Sequence, residues 1–263
     1  MRHCRVFYRG CDYKLEVFRE KYDLFYTVRS LLPAWFDDWS PGLESVRRAL
    51  EAGFILPVRG YDKQGRVVIL VRQSRVDPAI LDIDTVYKTF LMVFTLIMES
   101  NKQAYLRGYV IISDQADVGL RHAMMMTPGL IKKHMVVFQD SYPMDNQILI
   151  KSSNLFIINM PSLLQKFLNM FTAALDEKYK NIIRPLGHSE AQQTLIEEVG
   201  QEILPQEYGG TNGTVQDLVD FWREEVPKHE DFLQRQTLYK TDESLREGEP
   251  KTAGNLFGSC SIM

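Results

Sequence analysis

The chain has 263 residues, 45% of them hydrophobic, enough for one large domain or one domain with a small helical lobe. Its formal net charge of −3 excludes a nucleic-acid binder held mainly by phosphate contacts. Its three cysteines, Cys4, Cys11 and Cys260, lie near the ends and lack zinc spacing, so no disulfide framework, metal or cofactor is expected.

Arg2, His3, Arg5 and Arg9 interrupt the start, which therefore lacks the apolar run of a signal peptide. In 14–32, Leu15, Phe18, Tyr22, Phe25 and Val28 fall at helical spacing, and Pro33 ends the helix. Residues 34–45, with Trp35, Phe36 and Trp39, read as a packed loop; a short helix follows over 43–52, stopped by Gly53. Strands 54–59 and 66–72 flank the turn signal Asp62-Lys63-Gln64-Gly65 and predict a hairpin. Asp77-Pro78 opens an apolar helix over 80–100. Its stretch around Phe90–Met98 is shorter than the ~18 residues of a membrane span. The absence of a span and of a leader predicts a soluble, cytoplasmic protein.

Residues 107–113 form a continuous apolar run, as in a strand buried on both faces. Thr127 and Pro128 take the N-cap and N1 positions of a helix over 127–138. A buried strand at 154–159 precedes a helix opened by Pro161 and running to about 177. A short strand at 180–184, a helix at 190–201, a corner at 203–211 and a helix at 214–225 complete the ordered part. The polar segment 240–263 reads as a loosely held tail. This alternation predicts an α/β fold with a mixed, largely parallel sheet and helices packed on it.

The helix over 161–177 has a wide apolar surface: Leu163, Leu164, Phe167, Leu168, Phe171 and Leu175. It fits either a helix wedged into a core or a cover over an apolar cavity. The same two readings hold for Tyr87, Phe90, Leu91, Phe94 and Ile97 on the helix over 80–100. No Ser/His/Asp order, G-x-S-x-G elbow or P-loop is present. Asp37-Asp38 and Glu197-Glu198 are sequence neighbours that would point apart on a helix. An enzyme is therefore not expected.

Four pieces in order carry a family resemblance: residues 4–26; Asp114, His122, Thr127-Pro128 and Asp140-Ser141-Tyr142-Pro143; Ile158-Asn159-Met160-Pro161; and Ile203-Leu204-Pro205-Gln206-Glu207-Tyr208-Gly209-Gly210. Together they resemble the CRAL-TRIO lipid-binding family, in its tocopherol-transfer and retinaldehyde-binding branch. The resemblance implies a partial helical N-terminal lobe over 1–52, a lipid-binding domain over 53–226 and a C-terminal extension over 227–263. It implies that the sheet floors an apolar cavity and that the segment from Pro161 is a mobile gate. Tyr87, Phe90, Phe94, Ile97, Ile111, Ser113, Val118, Phe138, Tyr142, Leu155 and Ile157 are the implied cavity residues, with Ser113, Tyr87, Tyr109 and Tyr142 as polar groups that set specificity.

The implied function is carriage of one small hydrophobic ligand by a monomer that meets a membrane surface transiently. The alternative is a lipid-sensing interaction module without net transfer. Arg29, Lys151, Lys178 and Lys180 match or stand near the family's phosphoinositide-headgroup positions. Ile182 and Asp145-Asn146-Gln147 replace basic residues there, which favours reading the lysines as solvated. Asp117 stands in place of a turn glycine, and Arg121 must point outward or meet an acidic group. Cys260-Ser261-Ile262-Met263 fits a farnesylation pattern, without a polybasic stretch before it.

Overall fold

The computed structural model describes residues 2–100, 107–142 and 154–258. Four helices come first: α1 (Arg2–Gly10), α2 (Leu15–Leu31), α3 (Pro33–Phe36) and α4 (Glu44–Ala52). The expected loop after Pro33 opens with the single turn α3, because proline at N1 gives up an N–H that would be unbonded anyway. Gly53 ends α4 at φ 64°, a left-handed C-cap.

Five strands follow in the spatial order β1 (Ile55–Pro57), β2 (Val67–Arg72), β3 (Tyr109–Asp114), β4 (Asn154–Ile158) and β5 (Ile183–Pro185). β1 and β2 pair antiparallel, as the predicted hairpin. Asp62 fixes their turn: its Oδ1 accepts from the N–H of Gln64 at 2.9 Å and of Arg66 at 2.7 Å. The remaining pairs are parallel, with Ile111 opposite Ile69 and Leu155.

Both faces of this sheet are apolar, so alternate side chains feed two different layers. Val68, Leu70, Val110, Ile112, Phe156 and Ile158 pack against α10 (His188–Glu198) and α11 (Val215–Glu225), through Leu195, Leu218 and Val219. On the opposite face Val67, Ile69 and Val71 meet α2 to α4 and α5 (Ile83–Ser100). Helix α5 starts later than the expected Asp77-Pro78. Asp77 closes only a local turn onto the Ala79 N–H, whereas Asp82 Oδ1 accepts from Thr85 N at 2.8 Å and starts α5.

Three of the motif pieces meet at the carboxyl end of β3. Asp114 accepts from Asn159 Nδ2 at 2.9 Å and from the Tyr208 hydroxyl at 2.6 Å. The corner at 203–211 is fixed by close packing. A Cβ on Gly210 would stand 1.8 Å from the Leu204 carbonyl oxygen, and both Glu207 carboxylate oxygens accept from Val215 N at 2.9 Å, at the start of α11.

Two further segments depart from expectation. The predicted helix over 127–138 is α7 (Pro128–His134) followed by a π-helical stretch, Met135–Ser141. The predicted helix over 161–177 is divided into a 3-10 turn Ser162–Leu164, α8 (Gln165–Ala173) and α9 (Glu177–Lys180). The division falls where Asp176 N donates to Gln139 Oε1 at 3.0 Å, a long-range bond that redirects the chain.

The described part of the tail, 240–258, is held rather than loose. Arg246 donates to both Asp23 oxygens, at 2.9 and 3.0 Å, Lys251 reaches Asp23 at 2.6 Å, and Phe257, in the short helix Ala253–Phe257, is buried. Among the described residues no helix is long and apolar enough to cross a membrane.

Candidate functional site

The period-2 alternation that fills one core leaves the other side chains of the sheet facing a space. Tyr109, Ile111 and Ser113 of β3, Leu155 and Ile157 of β4 and Ile183 of β5 form its floor. On α5, Ile83, Val86, Tyr87, Phe90 and Phe94 present one stripe at helical spacing and form a wall. A second wall comes from α7 and the π-helical stretch: Ile131, His134, Met135, Phe138 and Tyr142. Leu164, Phe167, Leu168, Phe171 and Leu175 close over the top. The cavity measures about 400 Å³, within the range of small-molecule sites.

Among the described residues that line it there is no aspartate, glutamate, lysine or arginine. Two pairs of polar groups on the wall engage one another. The Tyr87 hydroxyl lies 3.1 Å from His134 Nδ1, and Gln115 Nε2 donates to Ser113 Oγ at 2.8 Å. Burial lowers His134 to about 4, so the ring is neutral at pH 7. The residue is half-buried and lines the cavity. Burial raises the Tyr87 and Tyr109 phenols, which therefore stay neutral.

Aromatic contacts fix the walls. Tyr87 stacks on Trp35 with centroids 4.0 Å apart, and Phe138 meets Phe90 edge to face at 5.5 Å. Trp35 is itself anchored by Nε1 donating to Asp84 Oδ1 at 2.7 Å.

The cover residues belong to neither of the two large cores. Leu164 and Phe167 pack in a small separate cluster with Val118, Ala123 and Met160, against α6 (Leu120–Met125). Lys166, Asn169 and Met170 point away from the cavity and are exposed. The segment is thus attached by apolar contacts at its rim, with an open space beneath.

Of the side chains singled out from the sequence, Tyr87, Phe90, Phe94, Ile111, Ser113, Val118, Phe138, Tyr142, Leu155 and Ile157 lie on the cavity wall, as do the five cover residues. Ile97 does not: it is buried within the core beneath α5. The side chain of Leu163, and Lys151 and Cys260, lie outside the described residues. Arg29 is only 2% exposed. Its guanidinium sits over Phe25, Phe36 and Trp39 at 4.5, 5.0 and 5.4 Å and donates to the Gln236 carbonyl, so it is placed inside the fold and not at a headgroup surface. Lys180 pairs with Glu177 at 2.6 Å, and Lys178 lies 4.0 Å from Asp176 and over the Tyr179 ring. Arg121 is exposed and points outward; Asp117 takes φ 62°, the left-handed geometry of the glycine it replaces.

Sequence reasoning missed His122, His134, Gln139 and Tyr179 as lining residues. The stripe Ile131, Met135, Phe138, Tyr142 was a usable signal for the second wall, since its i, i+4, i+7, i+11 spacing marks one helix face.

Comparison with known proteins agrees with this geometry. The family model described as CRAL/TRIO domain matches residues 51–210. The chain is 25% identical over 189 residues to "Alpha-tocopherol transfer protein-like" of Homo sapiens, covering 72% of this chain and 52% of that protein. The Mus musculus protein of the same name is 26% identical over 210 residues, covering 80% of this chain and 57% of its own length. "Clavesin-1" of Rattus norvegicus is 21% identical over 187 residues, covering 71% and 50%. The chain therefore spans about half the length of the curated relatives it matches.

Proposed function

The chain belongs to the CRAL/TRIO domain family, and from that premise we propose that it holds one small hydrophobic ligand in the cavity and carries it between membranes. The observation that carries this reading is a cavity of about 400 Å³ whose described lining has no charged side chain and whose roof belongs to neither main core. Such a space favours an apolar guest, since each buried CH₂ contributes roughly 0.8 kcal/mol. Ten such groups would bring affinity to about 8 kcal/mol before the costs of ordering the ligand. The names of the matched tocopherol-transfer-like relatives point the same way.

Release proceeds by opening of the cover. Its ends are the natural hinges: Pro161 at the start, and the interruption between α8 and α9 at the finish. Opening exposes Phe167, Leu168 and Phe171, and a bilayer interface takes up such side chains while water does not. Met170, already 39% exposed on the outer face, supplies a first contact.

Transfer of a fluorescent hydrophobic ligand from donor to acceptor vesicles tests the reading. A rate that rises with protein concentration is expected. Binding without faster transfer favours the sensing alternative, and no binding removes the proposal.

A further inference from the structure

We propose that the helical lobe governs how readily the cover opens, through a polar latch: Lys21 of α2 holds the end of the π-helical stretch, and Gln139 on that stretch holds the far end of the cover. The inference deepens the carrier reading above by naming what controls its cover, and it rests on that reading for the effect on ligand release.

The latch converges on one residue. Gln139 stands in the last turn of Met135–Ser141, where backbone carbonyls have run out of donors within the helix. Its carbonyl oxygen accepts from Lys21 Nζ at 2.9 Å and from the Tyr179 hydroxyl at 3.2 Å. A carbonyl has two lone pairs, so the lobe and α9 share one atom and fill it. Lys21 Nζ also donates to the Asp140 carbonyl at 2.7 Å, and its charge suits the negative end of a helix. The Gln139 side chain faces the cover: Oε1 accepts from Asp176 N at 3.0 Å, at the N-cap of α9. Its Nε2 is held in turn by donating to Asp140 Oδ1 at 3.2 Å.

The lobe is well placed for this. Phe25, one turn along α2 from Lys21, meets the Tyr142 ring edge to face at 5.2 Å, so α2 lies alongside the end of the stretch. The bonds join remote parts of the chain, since Lys21 is 118 residues from Gln139, and Gln139 is 37 from Asp176.

The two sides of the latch differ in strength. Asp176 is exposed, so its N–H finds water once freed, and one such neutral bond shifts an equilibrium by only about fivefold. The Lys21 bonds are charge-assisted and half-buried, and are the stronger. The order of parting follows: the stretch stays on the lobe while the cover leaves the stretch. With Asp176 bound, only α8 lifts. With Asp176 free, the cover parts along its whole length.

Amide hydrogen exchange of the full chain without ligand tests the latch. The Asp176 N–H is expected to be protected in the wild type and to exchange at least about threefold faster in Lys21→Met. Lys21 lies outside the described cavity lining, so it acts as a positioning residue. A merely structural lysine would speed exchange in the filled core, at Leu195 and Leu218, and leave Asp176 unchanged. Lys21→Arg, which still donates to both carbonyls, is expected to keep the protection. Release follows the same order. Diphenylhexatriene, a neutral fluorescent hydrocarbon, is expected to leave Lys21→Met for phosphatidylcholine vesicles about threefold faster than the wild type, and Gln139→Leu about fivefold faster. An unprotected Asp176 amide in the wild type, or Asp176 exchange in Lys21→Met equal to that of the wild type, would overturn the proposal. A wild-type chain that takes up no diphenylhexatriene counts against the carrier reading instead, and exchange at Asp176 in the unliganded chain still decides the latch.

Discussion

Phe171 of the cover meets the His134 imidazole edge to face, with ring centroids 5.3 Å apart. His134 is also bonded to Tyr87, which stacks on Trp35. A single aromatic chain thus runs from the roof, across the second wall, to the helical lobe. The roof end is its weakest link, because Phe171 belongs to neither main core whereas Trp35 is buried in one. On the proposed opening, parting at Phe171 would leave the rest of the aromatic chain in place.

Phe171→Asp places a carboxylate where the described wall residues offer no cation. It is expected to speed release of a bound fluorescent ligand to vesicles at least about tenfold, since a buried unpaired charge costs several kcal/mol. The far-ultraviolet circular dichroism should be unchanged. Wild-type release kinetics would show that the segment is not the cover.

Stability should depend on pH through His134. In the unfolded chain its ring titrates near 6.5, and in the fold burial holds it at about 4. Between these values the unfolded state binds a proton that the native state refuses. Stability is therefore constant above pH 6.5 and falls as pH drops towards 4, by up to about 3 kcal/mol. Glu243, held at about 2 by Arg246, adds its own loss only as pH falls below 4.5. Urea denaturation at pH 7 and pH 5 should show the slope in the wild type and a flatter one in His134→Phe.

The tail strap should be measurable. Arg246 joins Asp23, Thr27 and Glu243, bringing together residues 223 positions apart. Arg246→Ala is expected to cost about 1–2 kcal/mol, discounted for the water that reaches Asp23. Limited proteolysis should then cut within 237–258 sooner than in the wild type. An unaltered digest would mean that the strap contributes nothing to holding the tail.

Gly210→Ala should be far more damaging than its size suggests. The added Cβ meets backbone, the Leu204 carbonyl oxygen at 1.8 Å, so the corner itself must move. A loss above about 2 kcal/mol in thermal or urea unfolding is expected. Near-neutral stability would contradict the close approach.

The sheet was legible because its strands are short apolar runs between turn signals, and the hairpin because Asp62 and Gly65 specify the turn. The cavity face was not. In β3, Ile111 and Ile112 are chemically alike, yet one faces the open space and the other a filled core. Only the elements opposite them decide this, and those are set by tertiary contacts. Ile97 was assigned to the wall for the same reason: it continues the apolar run of α5, but it lies in the filled core. The break in the cover depends on Gln139, 37 residues from Asp176, which no local pattern reports. The tail read as loose from its polar composition, because charged residues look solvated until a partner as remote as Asp23 is known.

Native mass spectrometry of the full chain, after exposure to a panel of hydrophobic ligands, addresses the central claim most directly. The account expects one bound molecule per chain for at least one neutral ligand, and loss of that adduct in Phe171→Asp. A chain that copurifies with no lipid and retains none of the panel would contradict it.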